Sequence, residues 1–337
     1  MSAYQPKRQY MANLLTSFAP TLAIYDTPQL RTFICLRGHR LLASFHSSRR
    51  QPSAMESPNK PMAIYQKDVE SINADAQSLL ERYSGLPPAE VIPHVLSLRD
   101  EAFKVYHYPC IGQMRFLAFN FPRMPFYHRV VDRLRADPST TFLDAGCCFG
   151  QEIRYLVDQG IPSKQLFGCD LEQVFIDLGY KLFRDKDRLE ATFVTGDLTA
   201  DDPAFAGSPL SQTLSGKIDI IFASSLLHLW DYGTQVRVAI RLVQLCRDRP
   251  GVMITGRQLG SRLGGHYPMH GVDDNALHYR HNVESLKGLW RDVEIATQTK
   301  WKLEASFFVD EAVEHTRKVV PDYDSNATMI CWSVTRE

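Results

Sequence analysis

Phe142-Leu143-Asp144-Ala145-Gly146-Cys147-Cys148-Phe149-Gly150-Gln151 runs from an apolar strand through a glycine turn into a helix. Glycine at such a turn takes positive φ and lets the backbone approach a ligand closely. The free N–H groups of the first helical turn then face that ligand. A dinucleotide site of this kind takes the pattern G-x-G-x-x-G. Aligned on Gly146, that pattern meets Cys148 and Gln151, so two of its three glycines are missing.

The pattern D-x-G-x-G-x-G fits better. Asp144, Gly146 and Gly150 match it, and only Cys148 departs. This is the nucleoside-binding loop of enzymes that use S-adenosylmethionine, and the leading acid suits that cofactor. S-adenosylmethionine carries an ammonium and a sulfonium, whereas Asp144 would repel a pyrophosphate. Two further acids fall where this cofactor needs them. Asp170 closes Gly168-Cys169-Asp170-Leu171, 24 residues after Gly146, where a carboxylate accepts from both ribose hydroxyls. Asp197 stands in Gly196-Asp197-Leu198, where a carboxylate can accept from the adenine amino group. Leu171 and Leu198 accompany these acids at the cofactor. The competing structural role for both acids is capping of the following helices.

Around this loop the chain alternates strand and helix. Apolar runs at 141–146, 165–171, 191–198, 217–225, 251–256, 302–309 and 327–334 predict seven strands. Helical patterns at 151–158, 172–183, 234–248 and 281–297 fall between them. The result is an α/β domain with a mostly parallel sheet, in which ligands bind at the carboxyl ends of the strands. Upstream, helical spacing over 65–83 stops at Gly85-Leu86-Pro87-Pro88, and further helices are expected over 88–106 and from 116 through 135. The expected organisation is a basic extension (1–54), an N-terminal helical lid region (55–136) and a cofactor-binding domain (137–337).

The 337 residues balance 38 basic against 38 acidic side chains, which excludes a broad basic nucleic-acid footprint. No apolar stretch is long enough to span a membrane. The balance is uneven along the chain. Residues 1–54 hold seven basic residues and one acid, Asp26, giving +6, so the remainder carries −6. Such a start reads as a dispensable tail, with an organelle transit peptide as the alternative. Seven cysteines with no C-x-x-C fit a reducing, cytoplasmic compartment rather than a disulfide framework. The adjacent Cys147 and Cys148 are explained by the glycine loop rather than by redox or nucleophilic chemistry.

The loop with Arg154 resembles that of fungal secondary-metabolite methyltransferases, in which a Cys-Cys pair replaces the middle glycine. Further resembling segments are Asp177-Leu178-Gly179-Tyr180-Lys181-Leu182-Phe183-Arg184-Asp185, Ser224-Ser225-Leu226-Leu227-His228-Leu229, Gly256-Arg257-Gln258 and Tyr279-Arg280-His281-Asn282. Tyr108-Pro109-Cys110-Ile111 with Phe116-Leu117 also resembles the family. The likeness runs from about residue 65 to the C-terminus. The family includes the carboxyl O-methyltransferases of meroterpenoid pathways such as those to austinol, terretonin and andrastin, which the chain resembles. The resemblance implies a Rossmann-like class I S-adenosylmethionine-dependent fold with seven strands, a terpenoid–polyketide carboxylic acid as the small-molecule acceptor, and a possible homodimer.

The acceptor chemistry sets what to look for. A carboxylate is ionised at neutral pH and needs no general base, whereas a phenol, with a pKa near ~10, needs one. His228, after the fourth strand, is the leading candidate to orient or deprotonate the acceptor. Arg257, ending the fifth strand, either meets a carboxylate or pairs with an acid such as Asp231. Tyr106, His107 and Tyr108 are placed to lid the cofactor, with an aromatic face against the sulfonium. Arg115 is a candidate for the cofactor carboxylate. His266, His270, His278 and His281, with Asp273 and Asp274, match no zinc spacing and are read as a cap over the acceptor pocket, with Tyr279, Arg280 and His281 near its mouth. Trp290 and Trp301 are expected in the core.

Overall fold

The computed structural model describes residues 65–268, 277–319 and 323–337. The extension (1–54) and the cap residues His270, Asp273 and Asp274 lie outside these.

The described chain opens on helices α1 (Ala74–Arg82), α2 (Pro88–Val105), the short α3 (Pro109–Gly112) and α4 (Tyr127–Ala136). Helix α1 starts nine residues later than the apolar spacing from Tyr65 predicts. Asn73 stops it: its side chain accepts from Ala76 N (2.8 Å) and its amide donates to Leu117 O (2.6 Å).

Then come β1 (Phe142–Ala145), α5 (Gln151–Asp158), β2 (Leu166–Asp170), α6 (Gln173–Phe183), β3 (Thr192–Thr195), α7 (Asp202–Ala206), α8 (Pro209–Leu214) and β4 (Ile220–Ser224). The chain ends with α9 (Tyr232–Leu245), β5 (Met253–Ser261), β6 (Gly265–Pro268), β7 (Leu277–Arg280), α10 (Val283–Thr297), β8 (Trp301–Phe308), α11 (Glu311–Val319) and β9 (Ala327–Arg336).

Seven strands form one sheet in the order β3-β2-β1-β4-β5-β9-β8. The first five are parallel, and β9 runs antiparallel to both β5 and β8. This is the class I methyltransferase sheet expected from the sequence. Alternation along the strands splits the core. Leu143, Ala145, Ile221 and Ala223 pack with α9 and α10, while Phe142, Ile220 and Phe222 pack with α4 and α5. A third cluster seats α1 and α2 on α6 and on Phe149 of the glycine loop. The order reverses between β1 and β4, so a crevice opens beyond their carboxyl ends. Into it project the loop after Ala145 and the turn holding His228. The hairpin β6–β7, which the sequence reading treats as an irregular cap, forms a separate antiparallel pair.

Candidate active site

The glycine loop is held left-handed at three alternate positions. Gly146 has φ +76°, Cys148 φ +50° and Gly150 φ +66°. The sequence departs from glycine at 148, but the backbone does not depart from the conformation. A non-glycine residue there costs about 1–2 kcal/mol, and the surroundings hold it. Cys148 N donates to Asp170 Oδ2 (2.8 Å), while Gly146 N and Cys147 N both donate to Cys169 O (2.8 and 2.9 Å). The Cys148 side chain, like that of Tyr108, packs against the cluster under α1 and α2. Burial pushes the thiols of Cys147 and Cys148 well above their usual range, so neither is a nucleophile at neutral pH.

Asp144, the penultimate residue of β1, is 2% exposed, and its Oδ2 has no hydrogen-bond partner among the described residues. Burial first, then the charges of Glu152 and Asp170, raise its pKa well above the carboxylate range. A buried carboxylate oxygen without a donor is costly, and a cationic ligand group resolves that cost. Asp170 closes β2. Its Oδ1 accepts from Glu172 N (3.1 Å), the residue before α6, and its Oδ2 from Cys148 N, so it braces the glycine loop against the turn into α6 without capping that helix. Each oxygen keeps a lone pair for a further donor. Leu171 beside it is 59% exposed, an open apolar surface for a base. Asp197 is exposed and folds into a turn, accepting from Thr199 N (2.7 Å) and Thr199 Oγ1 (2.6 Å), while Leu198 is buried. These features fit S-adenosylmethionine: an orphaned buried anion, a left-handed loop, and an acid beside an exposed leucine at the end of the next strand.

Tyr108 is half-buried and stacks on Tyr106 (centroids 4.0 Å apart, planes at 18°). Burial first, and Asp170 among its neighbours, raise its phenol. His107 points away, edge-on to Phe103 at 4.7 Å.

Across the crevice, His228 sits in the turn Leu227–Leu229 after β4. Its Nδ1 has no partner among the described residues, and its pKa is lowered to about 3. Burial is the largest cause, followed by the neighbouring His278 ring and the guanidinium groups of Arg257, Arg280 and Arg115. The turn is held from β7: His228 O lies 2.8 Å from His278 Nδ1, Arg280 Nε donates to His278 Nε2 (3.0 Å), and Arg280 pairs with Asp324 (3.3 Å). The cap reading places His278 and Arg280 in this neighbourhood, but not their bonds. His281 is different. It is fully buried between α9 and α10, against Gln235 Oε1 (3.1 Å) and Ser285 Oγ (3.0 Å), and is no mouth residue. Trp290 and Trp301 are core, with ring centroids 5.7 Å apart.

Arg257 is 7% exposed, and its acidic partner is Asp310 (3.2 Å), not Asp231. Asp231 is already committed to capping α9 through Thr234 N (3.0 Å) and Thr234 Oγ1 (2.9 Å). Arg257 Nη1 donates to Ser225 Oγ (3.1 Å), and its Nε is buried with no partner among the described residues. Arg115 is exposed, bonds Gln113 Oε1 (2.9 Å), and contributes positive charge at both His228 and Arg257.

Glu152 escaped the sequence reading. It lies in the first turn of α5 at 1% exposure, and its Oε1 accepts from Asn120 N (2.7 Å) and Phe121 N (3.3 Å). An acid at a helix N-terminus looks solvent-facing in sequence; only the fold-back of residues 115–123 buries it.

A family model of the meroterpenoid methyltransferase N-terminal domain matches residues 64–117. The chain is 38% identical over 255 residues to O-methyltransferase atr3 of Stereocaulon alpinum, covering 76% of this chain and 71% of that protein. It is 36% identical to O-methyltransferase phiE of a fungal species (strain ATCC 74256), covering 82% and 89% respectively. It is 34% identical to the asnovolin E/chermesin D methyltransferase nvfJ of Aspergillus novofumigatus, covering 80% and 91%. The chain belongs to the fungal meroterpenoid-pathway methyltransferases, an S-adenosylmethionine-dependent enzyme family.

Proposed function

We propose that the enzyme methylates a carboxyl oxygen of a meroterpenoid or related polyketide acid. The observation that carries this reading is the state of His228. A histidine of pKa about 3 is neutral at physiological pH. To take the proton of a phenol of pKa near ~10 it would work about seven units uphill, roughly 9 kcal/mol. Burial, the main reason it is a poor base, is joined by the charges of Arg257, Arg280 and Arg115, which favour an anionic acceptor. A carboxylate arrives ionised and asks only for orientation and dryness.

Bound S-adenosylmethionine supplies a methyl group already activated on a sulfonium. Asp144, Asp170 and Asp197, with the loop from Gly146 to Gly150, Leu171, Leu198 and the Tyr108 ring, would hold it. Two donors remain for the acceptor, the Arg257 Nε–H and the neutral His228 ring. One donor from each orients a carboxylate without the bidentate clamp that would dull its nucleophilicity. That two relatives are named O-methyltransferases supports oxygen as the acceptor atom, and the meroterpenoid family match supports a terpenoid substrate class.

The test is mass spectrometry of enzyme incubated with S-adenosylmethionine and a farnesylated aromatic acid. A product one methylene heavier that reverts to the acid in mild alkali is the expected ester. An alkali-stable product would instead mean a hydroxyl acceptor. In a second test, His228→Asn should lower turnover about 10–100-fold and leave S-adenosylhomocysteine affinity almost unchanged. With S-adenosylmethionine saturating, wild-type turnover should stay flat from about pH 6 to 8, because His228 titrates far below that window. A rate rising tenfold per pH unit there would sink the carboxylate assignment.

A further inference from the structure

Two buried carboxylates flank the glycine loop, Asp144 in β1 before it and Glu152 in the first turn of α5 after it, and each has an unsatisfied oxygen. Asp144 Oδ2 and Glu152 Oε2 both lack a hydrogen-bond partner among the described residues, in side chains 2% and 1% exposed. Each unmet oxygen of this kind costs about 1–3 kcal/mol, more when charged. The charge of Glu152 is felt at Asp144, ahead of that of Asp170. The positive charges that act on Glu152 are those of Arg257 and Arg123, which pair instead with Asp310 and Asp75. The other Glu152 oxygen is taken by the backbone of Asn120 and Phe121. One end of this side chain therefore fastens the segment before α4 to the loop helix, and the other end is left open.

We propose that Glu152 forms, with Asp144, the seat of the cofactor's α-ammonium group. The proposal rests on the cofactor being S-adenosylmethionine. It adds to that reading a second acid and a coupling: the residue that meets the ammonium also holds residues 120 and 121 over the site, so cofactor binding and closure of the N-terminal segment reinforce each other.

The seat also makes binding pH-dependent. Burial raises Glu152 to about 7, against the lowering effect of the Asn120 and Phe121 N–H groups, Arg257 and Arg123. A cation bound beside it favours the ionised form, so affinity rises with pH and binding expels a proton. With an apo pKa of about 7, the gain between about pH 6 and 8 is up to tenfold.

The experiment is calorimetry with two probes, S-adenosylhomocysteine, which keeps the amino-acid group, and 5′-methylthioadenosine, which lacks it. Glu152→Gln preserves an oxygen for the Asn120 and Phe121 N–H groups and puts an amide in place of the open oxygen. It should weaken S-adenosylhomocysteine about tenfold or more, leave methylthioadenosine nearly unchanged, and reduce the pH dependence to whatever Asp144 contributes. Equal losses for both probes would make Glu152 a loop brace only and overturn the proposal, as would no loss for either. The wild-type enzyme offers a check that needs no variant. Near pH ~6.5, S-adenosylhomocysteine binding should release protons in paired buffers of different ionisation enthalpy, and methylthioadenosine binding should not. If the wild type binds neither probe, the cofactor assignment itself falls and takes the proposal with it. Binding of both probes without proton release overturns the ammonium seat alone.

Discussion

Replacing Asp170 by alanine should weaken S-adenosylhomocysteine binding at least about 100-fold, with the protein still folded. Two charge-assisted hydrogen bonds to ribose hydroxyls are worth about 1.5–3 kcal/mol each, or roughly two to four decades in affinity together. The loss has a second source. Asp170 accepts from Cys148 N and Glu172 N, so it also keeps the one non-glycine position of the loop left-handed. Without that acceptor, Cys148 has reason to leave φ +50°. Asp170→Asn separates the two effects. The amide retains one acceptor oxygen, so the loop is partly braced while the ribose loses its anionic partner. Affinity should fall between those of wild type and alanine. Titration calorimetry gives the affinities, and circular dichroism with thermal unfolding controls for fold. An alanine variant within about threefold of wild-type affinity would remove Asp170 from the ribose.

Much of this site is legible in sequence because its logic is local. An apolar run followed by glycines or an acid marks a strand end. In a parallel sheet every such end lies on the same edge, so Asp144, Asp170 and Asp197 fall at or just beyond that edge without any knowledge of pairing. What the sequence hides is long-range. Arg257 needs an acid, and Asp231 looks available until the fold shows it spent on Thr234, three residues away, while Asp310 arrives from beyond β8. His281 carries the same residue type as His278, three positions before it. The hairpin register directs His278 to the His228 turn and buries His281 against Gln235. Helix α1 shows the same limit. Apolar spacing from Tyr65 onward looks helical, yet Tyr65 sits in a bend, held by its hydroxyl on Asp100 (2.5 Å) and its ring under Arg99 (4.3 Å).

The largest stability effect should follow from losing Arg154. It and Asp185 are both wholly buried and bonded through two parallel contacts, Nε to Oδ2 (2.8 Å) and Nη2 to Oδ1 (3.0 Å). Such a fork needs arginine, not lysine. The guanidinium carbon lies 4.9–5.1 Å from the ring centroids of Tyr180, Phe183 and Phe193, and Tyr83 Oη donates to Asp185 (2.9 Å). Truncating one partner of such a pair strands the other charge, at about 3–5 kcal/mol. Arg154→Ala should accordingly lower the melting temperature by about 10 °C or more. The arginine has a further duty, since its Nη1 donates to Phe149 O (2.9 Å) inside the cofactor loop. Stability and loop support can be pulled apart. The double variant Arg154→Met with Asp185→Leu removes both charges and should regain most of the lost stability. It cannot bond Phe149 O, so its affinity for S-adenosylhomocysteine should stay several-fold below wild type. If the double variant recovered full affinity along with its melting temperature, the pair would be core and nothing more. A recovered fold with a weakened site would show that the buried arginine shapes the loop as well as holding the core.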